Sequence, residues 1–158
     1  RQPASTACLA TTGRQTLNLH DLPFPVFGDT TYRGKCAAES VEQVTFFNRI
    51  RAQYPDTHGA LAIHARNEQQ LRGGQFGSMA KQKAEGMVSG ASDIIIPGRI
   101  TFVCELKRRD RTKSAWQDGQ VPYLIAAHQA GAFACVALGC DAAWEAFEQW
   151  RKLVIDVC

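Results

Sequence analysis

The strongest hydrophobic pattern in the chain lies between Ser92 and Lys107. Ile94, Ile95 and Ile96 are β-branched and apolar, Pro97-Gly98 is a turn signal, and an apolar run resumes at Ile100 and continues to Leu106. This predicts two buried strands joined as a hairpin. Side chains alternate between the faces of a strand, so Val103, Glu105 and Lys107 share one face while Phe102, Cys104 and Leu106 share the other. Upstream, Val41, Val44, Phe47 and Ile50 recur at helical spacing, with acids at the start and Arg49 and Arg51 near the end, which predicts a core helix from Glu39 to Gln53. The short apolar run at 59–64 predicts a buried strand. Met79 to Met87 predicts a short helix, after which Gly86 and Gly90 turn the chain toward Asp93.

Downstream of the hairpin, Ser114 is a natural N-cap with Gln117 three residues on, as in a capping box. The helix it opens runs to Gln129 and ends at Gly131, while Pro122 within it implies a kink or a late start. A further strand is expected over 132–139. Asp141 then caps a final amphipathic helix carrying Trp144, Phe147, Trp150 and Leu153, an aromatic stripe suited to core packing or, in part, a dimer contact. Residues 1–38 carry no long periodic pattern. Thr16 to His20 alternates as a short strand would, and Leu22 to Phe27 is apolar but broken by prolines, so an extended or irregular N-terminal arm is expected. The order of the remaining elements, in a single domain over 39–158, predicts an α/β fold with a small mixed central sheet flanked by helices.

Charge changes the picture most at the hairpin. A loop centred on Gly98-Arg99 sets Asp93 opposite Cys104, and one extra loop residue sets it opposite Glu105. In either register two carboxylates lie at one level of strands about 4.8 Å apart. Burial and like charge both oppose their ionisation unless a cation sits between them. A hard divalent ion with oxygen ligands meets that need, and Mg²⁺ is commonly held by one or two carboxylates, waters and substrate phosphates. Lys107, on the face of Glu105, is placed to stabilise charge developing at phosphorus or to lower the pKa of an attacking water.

These residues resemble the PD-(D/E)XK nuclease pattern of an Asp, a hairpin and Glu-x-Lys. The run Lys83-Ala84-Glu85-Gly86-Met87-Val88-Ser89-Gly90-Ala91-Ser92-Asp93 resembles the K-x-x-G-x-x-x-G-x-x-D lead-in of the virus-type replication-repair nuclease (VRR-NUC) family. Cys104-Glu105-Leu106-Lys107 is similar to its I-E-L-K strand, and Ser114-Ala115-Trp116-Gln117 to its S-P-x-Q helix start. Ser92 and Ala115 stand where that family has proline, which bears on backbone stiffness rather than on ligands. The resemblance covers Glu39 to the end of the chain and implies an αβββαβ core plus a C-terminal helix. It also implies a Mg²⁺- or Mn²⁺-dependent endodeoxyribonuclease in which Asp93 and Glu105 hold the metal. In Ser40-Val41-Glu42-Gln43 it implies that Glu42 assists as a third acid, with Glu39 as the fallback and an ordinary helix-start acid as the plainer account. It further implies that Gln117 faces the site, where the capping box is the alternative. The family's polar loop after the strand corresponds to Arg66 and Asn67, and Lys83 is a further cation for DNA. Small stand-alone members resemble resolvases that act on branched DNA as dimers, which implies a homodimer. A nuclease for linear or single-stranded DNA, or a non-catalytic binding module on the same fold, is the alternative.

Composition narrows this further. The chain has 158 residues, 45% hydrophobic and 21% charged, which fits one globular domain and leaves no room for a second catalytic one. A net charge of +3 and a pI near 8.6 permit nucleic acid without requiring it. Local clustering says more: Arg99, Lys107, Arg108, Arg109, Arg111 and Lys113 face only Glu105 and Asp110, and Arg108, Arg109, Arg111 and Lys113 are candidates for phosphate contacts. Arg72 to Gly77 is glycine-rich but lacks the Gly-Lys-Ser/Thr ending of a phosphate-binding loop. The six cysteines form no C-x-x-C pair and have no histidine at zinc-finger spacing, so no zinc site is expected. Buried cysteines suit a reducing cytoplasm, that of a bacterium or a phage-infected host. No run has the length of a membrane span, and the first residues lack the apolar core of a signal peptide, although the chain begins without methionine.

Overall fold

A computed structural model of the chain describes residues 18–65 and 81–155. The sheet has four strands in the order β1-β4-β3-β2: β1 (Val26–Phe27), β2 (Ile94–Ile96), β3 (Phe102–Lys107) and β4 (Phe133–Leu138). The pairs β1–β4 and β3–β4 are parallel and β2–β3 is antiparallel. The sheet is therefore mixed, and helices cover it. They are α1 (Glu39–Gln53), a single turn α2 (His58–Leu61), α3 (Gln120–Gln129) and α4 (Cys140–Ile155). Residues 81–84 are helical too, within the stretch expected to be a short helix.

Strand alternation along β3 divides the core in two. Phe102, Cys104 and Leu106 point to the side packed by Phe46, Phe47 and Ile50 of α1 and by Trp144, Phe147 and Trp150 of α4. Val103 points to the other side with Phe24, Leu124 and Val136. The aromatic stripe of α4 is core, since the Phe147 ring lies 5.0 Å from Trp144 and 5.8 Å from Trp150, and the Trp150 indole donates to the Ile100 carbonyl. Leu153 at its end is exposed. So are Val41 and Val44, because the buried stripe of α1 runs through Phe46, Phe47 and Ile50 instead.

Three expectations require correction. The strand expected at 59–64 is the helical turn α2 followed by one bridge, Ile63 to Ile95, made through both backbone groups at 2.9 and 3.0 Å. A short apolar run with glycine has no periodicity to tell one turn of helix from a strand. Conversely, the proline-broken segment supplies β1, with the Pro25 carbonyl accepting from Val136 N–H, so the sheet includes residues ahead of Glu39. The short strand expected through His20 is, over its described part, a 3-10 turn (Leu19–Asp21).

The helix expected from Ser114 begins at Gln120 instead. Pro122 then falls in the first turn, where its missing N–H removes no helical hydrogen bond. The late start allowed by the sequence is the one the chain takes.

Candidate active site

The hairpin register decides where the two acids lie. Ile94 pairs with Cys104, Ile95 with Val103 and Ile96 with Phe102. Extending this ladder by one residue sets Asp93 across from Glu105, the second of the two registers expected. Asp93 is half-buried, and its Oδ2 accepts from Leu106 N–H at 3.0 Å. Its backbone carbonyl is fixed from the side of α1: the Gln43 amide donates to it at 3.3 Å, and the His64 ring nitrogen lies 3.0 Å away.

Glu105 is 0% exposed and Lys107 2% exposed. The Lys107 ammonium lies 2.9 Å from Glu105 Oε1, and it donates to the Ala115 carbonyl at 3.2 Å and to Gln120 Oε1 at 3.0 Å. It also sits 4.9 Å from the centre of the Trp116 ring. Gln120 Oε1 accepts from Gln117 N–H as well, at 2.8 Å. The 2.9 Å ion pair engages Glu105 Oε1, while Oε2 has no hydrogen-bond partner among the described residues.

Electrostatics follow from this enclosure. Burial first, and then the neighbouring Asp93, push Glu105 up to about 8, while Lys107 holds it down. Burial also raises Asp93, partly offset by the Leu106 hydrogen bond and by Lys107. Two acids that both resist ionisation, one with a buried oxygen that has no partner among the described residues, fit a divalent cation. Among the described residues no group of three or more His, Cys, Asp or Glu side chains converges on a point, so waters and phosphate oxygens would complete such a shell.

The two helix acids separate clearly. Glu39, half-buried at the start of α1, acts electrostatically on both Asp93 and Glu105, and its Oε2 accepts from Ser114 Oγ at 2.8 Å. Glu42 is turned toward α4 instead, where its Oε2 accepts from Cys140 N–H at 2.8 Å. A carboxylate there satisfies one of the four open N–H groups of the helix and its positive end. Glu39 thus lies within electrostatic reach of Asp93 and Glu105, while Glu42 is engaged by the start of α4.

Gln117 likewise contributes its backbone N–H, while its side chain is exposed; Gln120 is the glutamine that meets Lys107. Sequence reasoning missed Gln120, although Pro122 was the usable signal, since a proline two residues on marks the first turn of a helix. The site also depends on two glycines. Gly90 has φ +79°, and a Cβ there would meet Gly119 C at 2.1 Å and Gln120 N at 2.4 Å. The lead-in to Asp93 thus packs backbone to backbone against the start of α3. Gly90→Ala is expected to push Gln120 away from Lys107 and lower the melting temperature by several degrees; an unchanged melting curve would contradict this role.

The basic run does not lie on an open loop. Arg108 donates to the Cys36 carbonyl at 3.2 Å, Arg111 to the Thr30 carbonyl at 3.1 Å, and Lys113 to the Gly34 carbonyl, while Arg109 stacks 4.2 Å from the Tyr32 ring. Lys83 is exposed on the 81–84 turn. Arg66, Asn67 and the glycine-rich run at 72–77 lie outside the described residues.

A small mixed sheet between helices, with Asp93 leading into the edge strand β2 and Glu105-x-Lys107 on the neighbouring strand β3, is an α/β arrangement consistent with a PD-(D/E)XK-like fold. No family model and no curated protein matches the chain. Among solved structures, the chain is similar to one titled "VRR_NUC domain protein", with a TM-score of 0.61 and 21% identity, over 77% of this chain and 93% of that one. The fold implied by the sequence resemblance is the fold found. Among the described residues no helix is long and apolar enough to cross a membrane.

Proposed function

We propose that this chain is a VRR-NUC nuclease: a divalent-metal-dependent DNA endonuclease of the PD-(D/E)XK type. The observation that carries this reading is Glu105, buried beside Asp93, with Oε1 2.9 Å from the enclosed ammonium of Lys107 and Oε2 without a partner among the described residues. A buried carboxylate left so incompletely satisfied is costly unless a ligand completes it. Asp93 and Glu105 are the residues to hold Mg²⁺ or Mn²⁺, with Glu39, rather than Glu42, as the third acid. When bound, such an ion supplies a Lewis acid for the phosphoryl oxygen and lowers the pKa of the attacking water.

The chain's own groups do the rest. Leu106 N–H and the Gln43–His64 pair hold Asp93 in place from both ends of the residue. Gln120 and the Ala115 carbonyl fix the Lys107 ammonium, which then stabilises negative charge at a phosphate without reorganising. Preference for branched DNA follows from the resemblance to small resolvases, and so does a homodimer, since a twofold dimer presents two sites to two symmetry-related strands.

The test is cleavage of a labelled four-way junction and its matching linear duplex, with Mg²⁺, Mn²⁺ or EDTA, by wild type and Asp93→Ala. Metal-dependent cutting of the junction, lost in the variant, is the expected result. Equal cutting of the linear duplex would remove the selectivity for branches. Wild type that binds DNA and never cuts with either metal would replace the enzyme by a binding module.

A further inference from the structure

The cations after β3 have a second segment lying on them. Residues 29–36 run across 108–113, and Gly34 is held at both ends: its N–H donates to Asp110 Oδ2 at 3.1 Å, and its carbonyl accepts from Lys113. Asp110, only 2% exposed, also accepts from the Thr112 hydroxyl at 2.6 Å and the Thr112 N–H at 3.2 Å. With Gly34 clamped, its neighbours Arg33 and Lys35 are both exposed, as are Arg109, Arg111 and Lys113 beside them. Two stretches far apart in sequence therefore build one cationic surface. Asp29 is the exposed acid of these two stretches, and the Asp110 carboxylate is turned inward, where it offsets Lys113 at 3.6 Å and leaves the surface charge to Arg33, Lys35, Arg109 and Arg111.

This surface joins the site directly. Residues 29–36 lead into Glu39, whose carboxylate accepts from Ser114 Oγ, and that same Oγ accepts from Arg108 N–H at 2.8 Å, next to Lys107. The geometry points to residues 29–36 as the second half of a DNA-backbone surface, with Arg33 and Lys35 contacting phosphates and Asp110 as the positioning residue that holds them there. The inference rests on the DNA reading above and adds an element ahead of the region covered by the sequence resemblance. Its physical basis is charge complementarity: cations of such a surface displace the counterions of a phosphate backbone into solution, and affinity then falls with salt in proportion to the contacts made.

The experiment is anisotropy of a labelled branched DNA over a salt series in EDTA, where no cutting competes. For Arg33→Gln/Lys35→Gln, the slope of log affinity against log salt is expected to shrink by roughly 1.8, about 0.9 for each cation lost. Asp110→Ala is expected to shrink it too, and to add nothing when combined with the double variant. An Asp110 of purely structural role would lower the melting temperature and leave the slope alone. A slope unmoved by Arg33→Gln/Lys35→Gln overturns the role of the segment while leaving the nuclease reading standing. An equal loss per cation in Lys152→Gln, an exposed lysine of α4, would reduce the effect to net charge and overturn it as well. Wild type with no salt-dependent affinity for the DNA fails the DNA reading itself.

Discussion

Glu105→Gln is expected to abolish cleavage, by at least three orders of magnitude, and to flatten the dependence of stability on pH. The second effect identifies Glu105 as the titrating acid, and its response to Mg²⁺ distinguishes a metal-holding acid from a merely buried one. Glu105 titrates near 8 in the folded chain against an ordinary value of 4.5. Below about pH 4.5 it is protonated both folded and unfolded and costs nothing. Between there and pH 8 the unfolded chain releases the proton while the folded chain keeps it, so stability falls as pH rises, and above 8 the whole penalty, on the order of a few kcal/mol, is present. Asp93, raised in the same direction, adds to the slope. A divalent cation must displace the Glu105 proton, so Mg²⁺ binding should release a proton and strengthen with pH until about 8. Melting curves of metal-free protein at several pH values, with and without Mg²⁺, measure both. The wild type should lose stability toward pH 8.5, regain it with Mg²⁺ most at that end, and differ from a flatter, Mg²⁺-indifferent Glu105→Gln. Parallel pH profiles for the two proteins would mean that Glu105 is not the titrating group.

The origin of that penalty also explains what could be read from the sequence. Glu105 and Lys107 were legible because strand alternation needs only sequence, and Ile94 to Ile96 can form little but a buried strand. The helix from Glu39 to Gln53 has the bounds its periodicity predicts, since acids and bases mark its ends. What the sequence left unread depended on contacts between distant segments. Glu39 and Glu42 sit less than one turn apart, and only the position of Cys140 N–H, from the far end of the chain, draws Glu42 away. Gln117 and Gln120 were separable by Pro122, a local signal outweighed by the Ser114 capping pattern; in the folded chain Ser114 serves Arg108 and Glu39 instead. Nothing local to Arg108–Lys113 announces that their donors meet carbonyls of Thr30, Gly34 and Cys36, because those partners lie more than 70 positions away.

Lys107→Ala carries the other large effect, and here chemistry and stability should part company under a second substitution. The ammonium is the nearest cation to Glu105, and its removal leaves a buried acid facing only other acids. Breaking one side of a buried pair typically costs about 3–5 kcal/mol, whereas replacing both partners by groups of similar volume is often close to neutral. Lys107→Ala should therefore lower the melting temperature of the metal-free protein, more at pH 8.5 than at pH 6, where Glu105 is largely protonated. Glu105→Gln/Lys107→Met should recover most of that loss. Cleavage should fall by about 10² to 10³ in Lys107→Ala, the usual cost of one preorganised charge at a transition state, and should not return in the double variant. Mg²⁺ should still stabilise Lys107→Ala, since both carboxylates proposed to hold the metal remain. If the double variant is as unstable as the single one, Lys107 supports the fold through Gln120, Ala115 and Trp116 rather than by neutralising Glu105. If Lys107→Ala cleaves as fast as wild type, the charge at the phosphate comes from the metal alone.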